Sequence, residues 1–523
     1  MNNKQNNEGM TLLKRSKQNL LKVIFSRTGL VLLMLMVQVL LMLSVYTWFN
    51  DFMLEYLGGS GILAVTVGLY IISSDIDPTS KITWLVVMTA MPVFGALFFL
   101  YTKYDIGHRS LKKRIETIHN NTLDINRQDE RIIKELEIEN PNLASLAYYV
   151  NNTGSYPIFK NTEVKYFKIG EEMFECIKEE LKKARKFIFL EFFIIDEGKM
   201  WGQILEILTE KVKEGVDVRL VYDGSCEFTT LPRSYSEKIE KLGIKCHVFS
   251  KATPFLSTYY NYRDHRKIIV IDNEVAYTGG INLADEYINH IVKHGHWKDA
   301  GILLKGDAVR SFTAMFLEMW NIANDVDYDH YLNQTNKTYK SDGYVMPYGD
   351  CPFDDIKVGE DVYIDILSRA KKYVHIMSPY LILDGEMEKA LKFAAMRGVD
   401  VKLILPGIPD KRMPNDLAKS HYHSLINAGI EIYEYTPGFV HSKVFVSDDE
   451  VAVVGTINLD YRSLYHHFEC ATYLYKNKVI KDIEDDFKNT LNDSRKITLE
   501  DVKHITITSK VIGFIFKVFA PLM

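Results

Sequence analysis

The sequence predicts an α/β protein of two pseudo-symmetric αβ halves, each a mixed sheet flanked by helices, behind an N-terminal transmembrane helical segment. Three observations predict it. His265-Arg266-Lys267 is followed after four residues by Asp272, and His441-Ser442-Lys443 after four residues by Asp448; Asn282 and Asn458 each lie 17 residues beyond their histidine. Gly-Val-Asp-Val occurs at 215–218 and again at 398–401, each time where a helical pattern gives way to an apolar strand pattern, which marks an internal duplication. Three uncharged apolar runs lie within the first 101 residues.

Those runs are Gly29 to Phe49, Tyr56 to Ser74 and Trp84 to Tyr101. Each is long enough, or nearly so, to cross a hydrocarbon core of ~30 Å as a helix. Trp48, Tyr56, Trp84 and Tyr101 sit at their ends, where amphipathic rings prefer the interface. A cleaved signal peptide explains the first run but not two more behind it. Lys14, Arg15, Lys17, Lys22 and Arg27 precede the first run, and Arg109, Lys112, Lys113 and Arg114 follow the third. Both clusters call for the inner face, which three spans cannot satisfy, so residues 1–105 are expected to form a membrane anchor of two or three spans. The expected location is the cell membrane, with a multi-pass topology.

Residues 106–160 are charged and helix-prone, a linker with short helices. The first αβ half covers 161–325, with a buried strand at Lys186–Ile195, a helix at Trp201–Glu214 and a strand at Gly215–Tyr222. A polar connector covers 326–350. The second half, 351–500, repeats the order: strand Lys372–Met377, helix Glu386–Arg397, strand Gly398–Leu405. Leu242-Gly243-Ile244 and Ala428-Gly429-Ile430 each end a helix at glycine and open a strand. The tail at 501–523 holds the apolar run Lys510–Met523 with two lysines, and reads as a membrane-associated anchor at the interface.

The formal net charge of -5 argues against a nucleic-acid partner, which calls for a basic surplus. The five cysteines (Cys176, Cys226, Cys246, Cys351, Cys470) are scattered without a CxxC, so neither a disulfide framework nor a zinc site is read. His290, His294 and His296 lack companions in a metal-ligand pattern.

The duplicated motif carries the chemistry. A histidine and a lysine two apart on a strand project from one face. Transfer at an anionic phosphodiester needs a nucleophile, an acid for the leaving alkoxide, and donors for the phosphoryl oxygens. Imidazole supplies the first two near neutral pH. Lys267, Lys443, Asn282 and Asn458 supply donors, so neither a metal nor a cofactor is expected. Glycines just before each asparagine (Gly279, Gly280; Gly455) would let backbone approach the phosphate. Asp272 and Asp448 stand seven residues after their histidines, an odd offset at a strand end, and read as structural. A carboxylate should orient each imidazole. Glu469 lies 28 residues after His441, and Asp299 lies 34 after His265 at the corresponding place.

These residues resemble the phospholipase D superfamily and, within it, the bacterial cardiolipin synthases. The resemblance covers nearly the whole chain after the first apolar run. It rests on Arg263-Asp-His-Arg-Lys-Ile268, Tyr277-Thr-Gly-Gly-Ile-Asn-Leu-Ala-Asp-Glu-Tyr287, Trp297 with Asp299, Leu405-Pro-Gly407, Tyr433-Glu-Tyr435, Val440-His-Ser-Lys443 and Asn458-Leu-Asp-Tyr-Arg-Ser463. Pro92-Val-Phe-Gly95 is similar to the family's membrane segment, and the Ala-Pro-Leu-Met ending to its apolar tail. The first apolar run is a departure, since many members show only two spans. The resemblance implies two phospholipase D-like halves that join two phosphatidylglycerol molecules reversibly into cardiolipin and glycerol. The implied partners are those lipids in the bilayer, and the implied intermediate is a phosphatidyl-histidine. It places His265, Lys267, Asp272, His441, Lys443 and Asp448 at active-site positions, and Asn282 and Asn458 at phosphate-binding ones. Pseudo-symmetry leaves either histidine as the nucleophile. A hydrolytic phospholipase D releasing phosphatidic acid is the alternative; a nuclease fits neither the charge nor the spans, and a silent scaffold does not fit two intact motifs. The sequence leaves oligomeric state open.

Overall fold

The computed structural model describes residues 53–522 apart from 105, 124–125, 251–261, 334–338, 340 and 355. The expected span Gly29–Phe49 lies outside the described residues. The described chain divides near residue 106 into two units.

The N-terminal unit holds helices Met53–Ser73, Pro78–Ala90 and Pro92–Tyr104. The span expected at Trp84–Tyr101 is therefore broken. The Met91 N–H still bonds Val87 O at 2.9 Å, but Pro92 has no N–H to continue the ladder and instead opens the next helix. The two resulting helices have 13 residues each, about 20 Å, short of a bilayer core. Among the described residues no helix is long and apolar enough to cross a membrane, so the expected multi-pass segment is not seen there. The helices instead pack on one another around Val67, Ile71, Trp84, Met88, Ala96 and Phe99. Gly95 permits this: a Cβ there would stand 2.9 Å from Met88 Cα. Ile62, Val65, Leu69, Ile72, Ile82 and Leu97 remain exposed around that small core.

The second unit carries the duplicated halves. Its first sheet runs Thr162–Phe167, Gly301–Gly306, Val275–Gly279, Lys267–Ile271, Phe187–Phe192, Asp217–Asp223, Lys245–Phe249. Its second sheet repeats that order as Tyr344–Asp350, His467–Tyr475, Val451–Gly455, Val444–Ser447, Tyr373–Met377, Asp400–Pro406, Glu431–Tyr435, and adds Ser494–Ile497 at the edge. Both are mixed. In each, Phe187–Phe192 or Tyr373–Met377 starts a parallel run of three strands joined by helical crossovers and pairs antiparallel with the motif strand on its other side, which a tight turn joins to the strand after it. Phe187–Phe192 is buried at every position, as a strand covered on both faces must be. Gly215 and Gly398, the first residues of the repeated tetrapeptide, take φ of 89° and 92° just past the helices Lys199–Lys213 and Gly385–Met396, the left-handed stop that glycine allows.

One continuous apolar core joins the halves, running from Phe187 and Ile268 through Phe316 and Met346 to Val453 and Phe487. Two short strands cross between them. Arg263–Asp264 pairs in parallel with His467–Phe468, and Gly438–Val440 pairs in parallel with His296–Lys298. Residues 344–350, expected in the connector, are instead the edge strand of the second sheet, paired with His467–Tyr475. The tail forms helix Ile507–Phe519, laid on helix Arg412–Asn427. Ser509 Oγ bonds Asp416, and a Cβ at Gly513 would stand 2.8 Å from Asp416 O. The opposite face exposes Ile507, Val511, Phe514 and Ile515.

Candidate active site

Each motif histidine directly follows one of the crossing strands, in a break just before a sheet strand begins. The His265 N–H donates to Phe468 O at 2.9 Å, and the His441 N–H to Lys298 O at 2.7 Å. Backbone from the opposite half therefore fixes both residues. The side chains follow the same rule. His265 Nδ1 lies 2.8 and 3.0 Å from the two carboxylate oxygens of Glu469, and His441 Nδ1 lies 2.6 Å from Asp299 Oδ2. Both carboxylates are fully buried. The two carboxylates singled out from sequence do meet the histidines, but crosswise: each half lends its carboxylate to the other half's ring. Counting along the chain within one half pairs them wrongly, because the crossing strands exchange partners in space.

With Nδ1 occupied, Nε2 is the nitrogen left for a reacting phosphorus or oxygen. Lys267 Nζ donates to His265 O at 2.6 Å, and Lys443 Nζ lies 3.0 Å from the His441 ring nitrogens. The lysines thus stand beside their histidines, although His265, His441 and Lys443 lie outside the strands expected to carry them. The field at His265 includes Lys443 and His441, and that at Lys443 includes Lys267, so the two motifs lie within electrostatic reach of each other.

Burial dominates the electrostatics. It lowers Lys267 to about 8 and Lys443 to about 7, the latter pushed further by Lys267. Burial, then Lys443, lowers His441 to about 4 against the pull of Asp299. His265 is held far below its usual range by burial, then by Lys267. The carboxylates diverge. Burial pushes Asp299 up, but the His441 ring and Lys443 outweigh it and hold the group below its usual range. Burial wins at Glu469 and raises it, although Lys267 and a hydrogen bond from Thr456 oppose the shift. Four basic groups crowded out of water are a poor arrangement until an anion arrives; a phosphodiester among them favours their protonated forms.

Asp272 and Asp448 stand elsewhere. Asp272 accepts from the backbone N–H groups of Arg185, Lys186 and Phe187, each at 2.8 Å. Asp448 accepts from those of Lys371, Lys372 and Tyr373 at 2.7, 2.8 and 2.9 Å. Both lie in left-handed turns, φ 54° and 57°, at the far ends of the motif strands. Their inclusion among catalytic positions is corrected by this placement: they clamp a turn to the start of the neighbouring strand. Asp272→Asn is expected to cost about 2 kcal/mol of stability with turnover per folded molecule within about twofold; a stable, folded but inactive variant would contradict this.

The asparagines differ. Asn282 is engaged within the fold: its Oδ1 accepts from Ile194 N at 3.0 Å and its amide donates to Tyr287 Oη at 2.8 Å. Asn458 is buried with no protein partner for Oδ1. The glycines before them also answer to the fold. A Cβ at Gly280 would sit 2.0 Å from Asp299 Oδ1, and one at Gly455 2.4 Å from Cys470 O, so both let neighbouring chain come close rather than ligand.

Sequence reading missed three neighbours. Phe193 meets His265 edge-on, with ring centroids 4.8 Å apart, and Tyr287 meets His441 likewise at 5.4 Å. His467 lies 5.2 Å from the His265 ring. Its signal was available: it stands two residues before Glu469 on one strand, hence on the same face.

Comparison with known proteins follows this geometry. The family model described as "Cardiolipin synthase, PLD-like domain" matches residues 177–320 and 363–491. A Streptococcus mutans protein without an assigned role is 55% identical, covering 87% of this chain and 99% of its own. A cardiolipin synthase of Alkalihalophilus pseudofirmus is 32% identical, covering 88% and 92%, and one of Halalkalibacterium halodurans is also 32% identical, covering 88% and 92%. Among solved structures, phosphatidylserine synthase of Haemophilus influenzae superposes with a TM-score of 0.55 at 13% identity, covering 73% of this chain and 98% of that one, a likeness of fold alone.

Proposed function

Since the chain belongs to the cardiolipin synthase family with phospholipase D-like domains, we propose that it joins two phosphatidylglycerol molecules into cardiolipin and free glycerol. The observation that carries the reading is the pair of buried His–Lys sets, each imidazole braced by a carboxylate of the opposite half. The bridging phosphodiester sits between them, its oxygens held by Lys267 and Lys443. Nε2 of one histidine attacks phosphorus while the other histidine protonates the departing glycerol oxygen. The P–O bond to glycerol breaks and a phosphatidyl-histidine forms. The second histidine, now neutral, takes the proton from a headgroup hydroxyl of another phosphatidylglycerol, whose oxygen attacks phosphorus and frees the first histidine. No metal enters these steps. Burial of the site keeps bulk water from competing with the lipid alcohol.

The proposed location is the cell membrane. The exposed apolar side chains on helices 53–104, and Ile507, Val511, Phe514 and Ile515 on the tail helix, support a seat at the bilayer surface. Purified protein in phosphatidylglycerol vesicles tests the reaction. Cardiolipin and glycerol in equal amounts are expected; phosphatidic acid alone would make the protein a hydrolase. EDTA is expected to leave the rate unchanged, and a loss restored by a divalent ion would contradict the metal-free mechanism.

A further inference from the structure

We propose that His265, His467 and Glu469 form a binding site for a borderline-soft divalent cation, zinc above all, and that its occupation switches the site off. Their ligand atoms all lie within 4.8 Å of one another. Glu469 stands between the rings: Oε1 is 2.8 Å from His265 Nδ1 and 3.6 Å from His467 Nδ1. Zinc bonds of about 2.0–2.2 Å in a tetrahedron set ligand atoms about 3.3 Å apart, so these separations straddle what the ion requires. Two imidazoles and a carboxylate suit zinc more than magnesium or calcium, which favour all-oxygen sets.

The second observation is His467 itself. It is buried, and neither ring nitrogen has a hydrogen-bond partner in the protein. An unsatisfied buried polar group destabilises the fold, and such a group asks for a ligand. Around His441 the corresponding flank is aromatic, with Tyr287 and Trp297 at 5.4 and 5.5 Å, and among the described residues no second three-ligand group exists.

The inhibition, unlike the binding, rests on the function proposed above. A cation on His265 Nδ1 takes the lone pair at that nitrogen and displaces the proton held there. The ring must then carry its proton on Nε2, which leaves no lone pair to attack phosphorus or to take a proton from the acceptor alcohol. Glu469, bound to the metal, is deprotonated.

The test titrates zinc chloride into the full-length protein in phosphatidylglycerol vesicles, with a chromogenic chelator as competitor, and follows cardiolipin formation in parallel. One equivalent is expected to bind, with the rate falling as the site fills and returning on EDTA. His467→Asn is expected to weaken binding at least about tenfold and to move its own inhibition midpoint by the same factor. His423→Asn, an exposed histidine on helix Arg412–Asn427, should change neither. Equal zinc affinity in wild type and His467→Asn overturns the site. Should that variant not fold, cobalt(II) on the wild type decides: intense visible bands of a four-coordinate ion support the site, and the faint spectrum of a six-coordinate one overturns it. Failure of the proposed function looks different, namely no cardiolipin at zero zinc with metal binding intact.

Discussion

Alanine in place of His265 or of His441 is expected to lower cardiolipin formation at least about a thousandfold, with vesicle binding retained. The two losses should be nearly equal, because the proposed reaction needs one imidazole on phosphorus and the other on the alcohol in each half-cycle. Each ring is less than a tenth exposed, so truncation leaves a small cavity rather than a disrupted surface. The double variant should be little worse than either single one, since residues acting as a unit are not additive. Rates near wild type in either single variant would remove the mechanism.

The second large effect concerns the crossed carboxylates. Asp299→Asn keeps the shape but replaces an ionised acceptor by an amide that can present a donor to His441 Nδ1 and so impose the wrong tautomer. A loss of about a hundredfold or more is expected. Glu469→Gln should cost less, because burial already pushes that carboxyl toward its neutral form while Asp299 is held ionised. The crossing appears in double variants. Adding Asp299→Asn to His441→Ala should change nothing further, and so should adding Glu469→Gln to His265→Ala. A full further loss on adding Asp299→Asn to His441→Ala would show that Asp299 does not act through that ring.

Much of this was legible along the chain. The repeated motif and the repeated Gly-Val-Asp-Val located both halves, and the apolar runs located the central strands to within a few residues. The odd seven-residue offset set Asp272 and Asp448 apart from the other motif residues, and both carboxylates accept from backbone N–H groups at the start of a neighbouring strand. Three things were not legible. Which carboxylate meets which histidine depends on strands exchanged through space, and a residue count along one half cannot register that. The break at Pro92 was masked by an otherwise uncharged run whose composition outvoted a single residue without an N–H. His467 was hidden by standing beside Phe468 and Glu469 in an unremarkable strand, where only the period of two marks its face.

The exchanged strands and carboxylates have a consequence for how the molecule can be divided. Neither repeat owns a finished catalytic group; each holds a ring that the other must aim. A chain cut between Asn333 and Tyr339 should give two inert fragments that recover activity only when mixed. Ribosomes releasing the first repeat alone would make nothing able to attack a lipid, so reactivity arrives only with the strand His467–Tyr475 of the second.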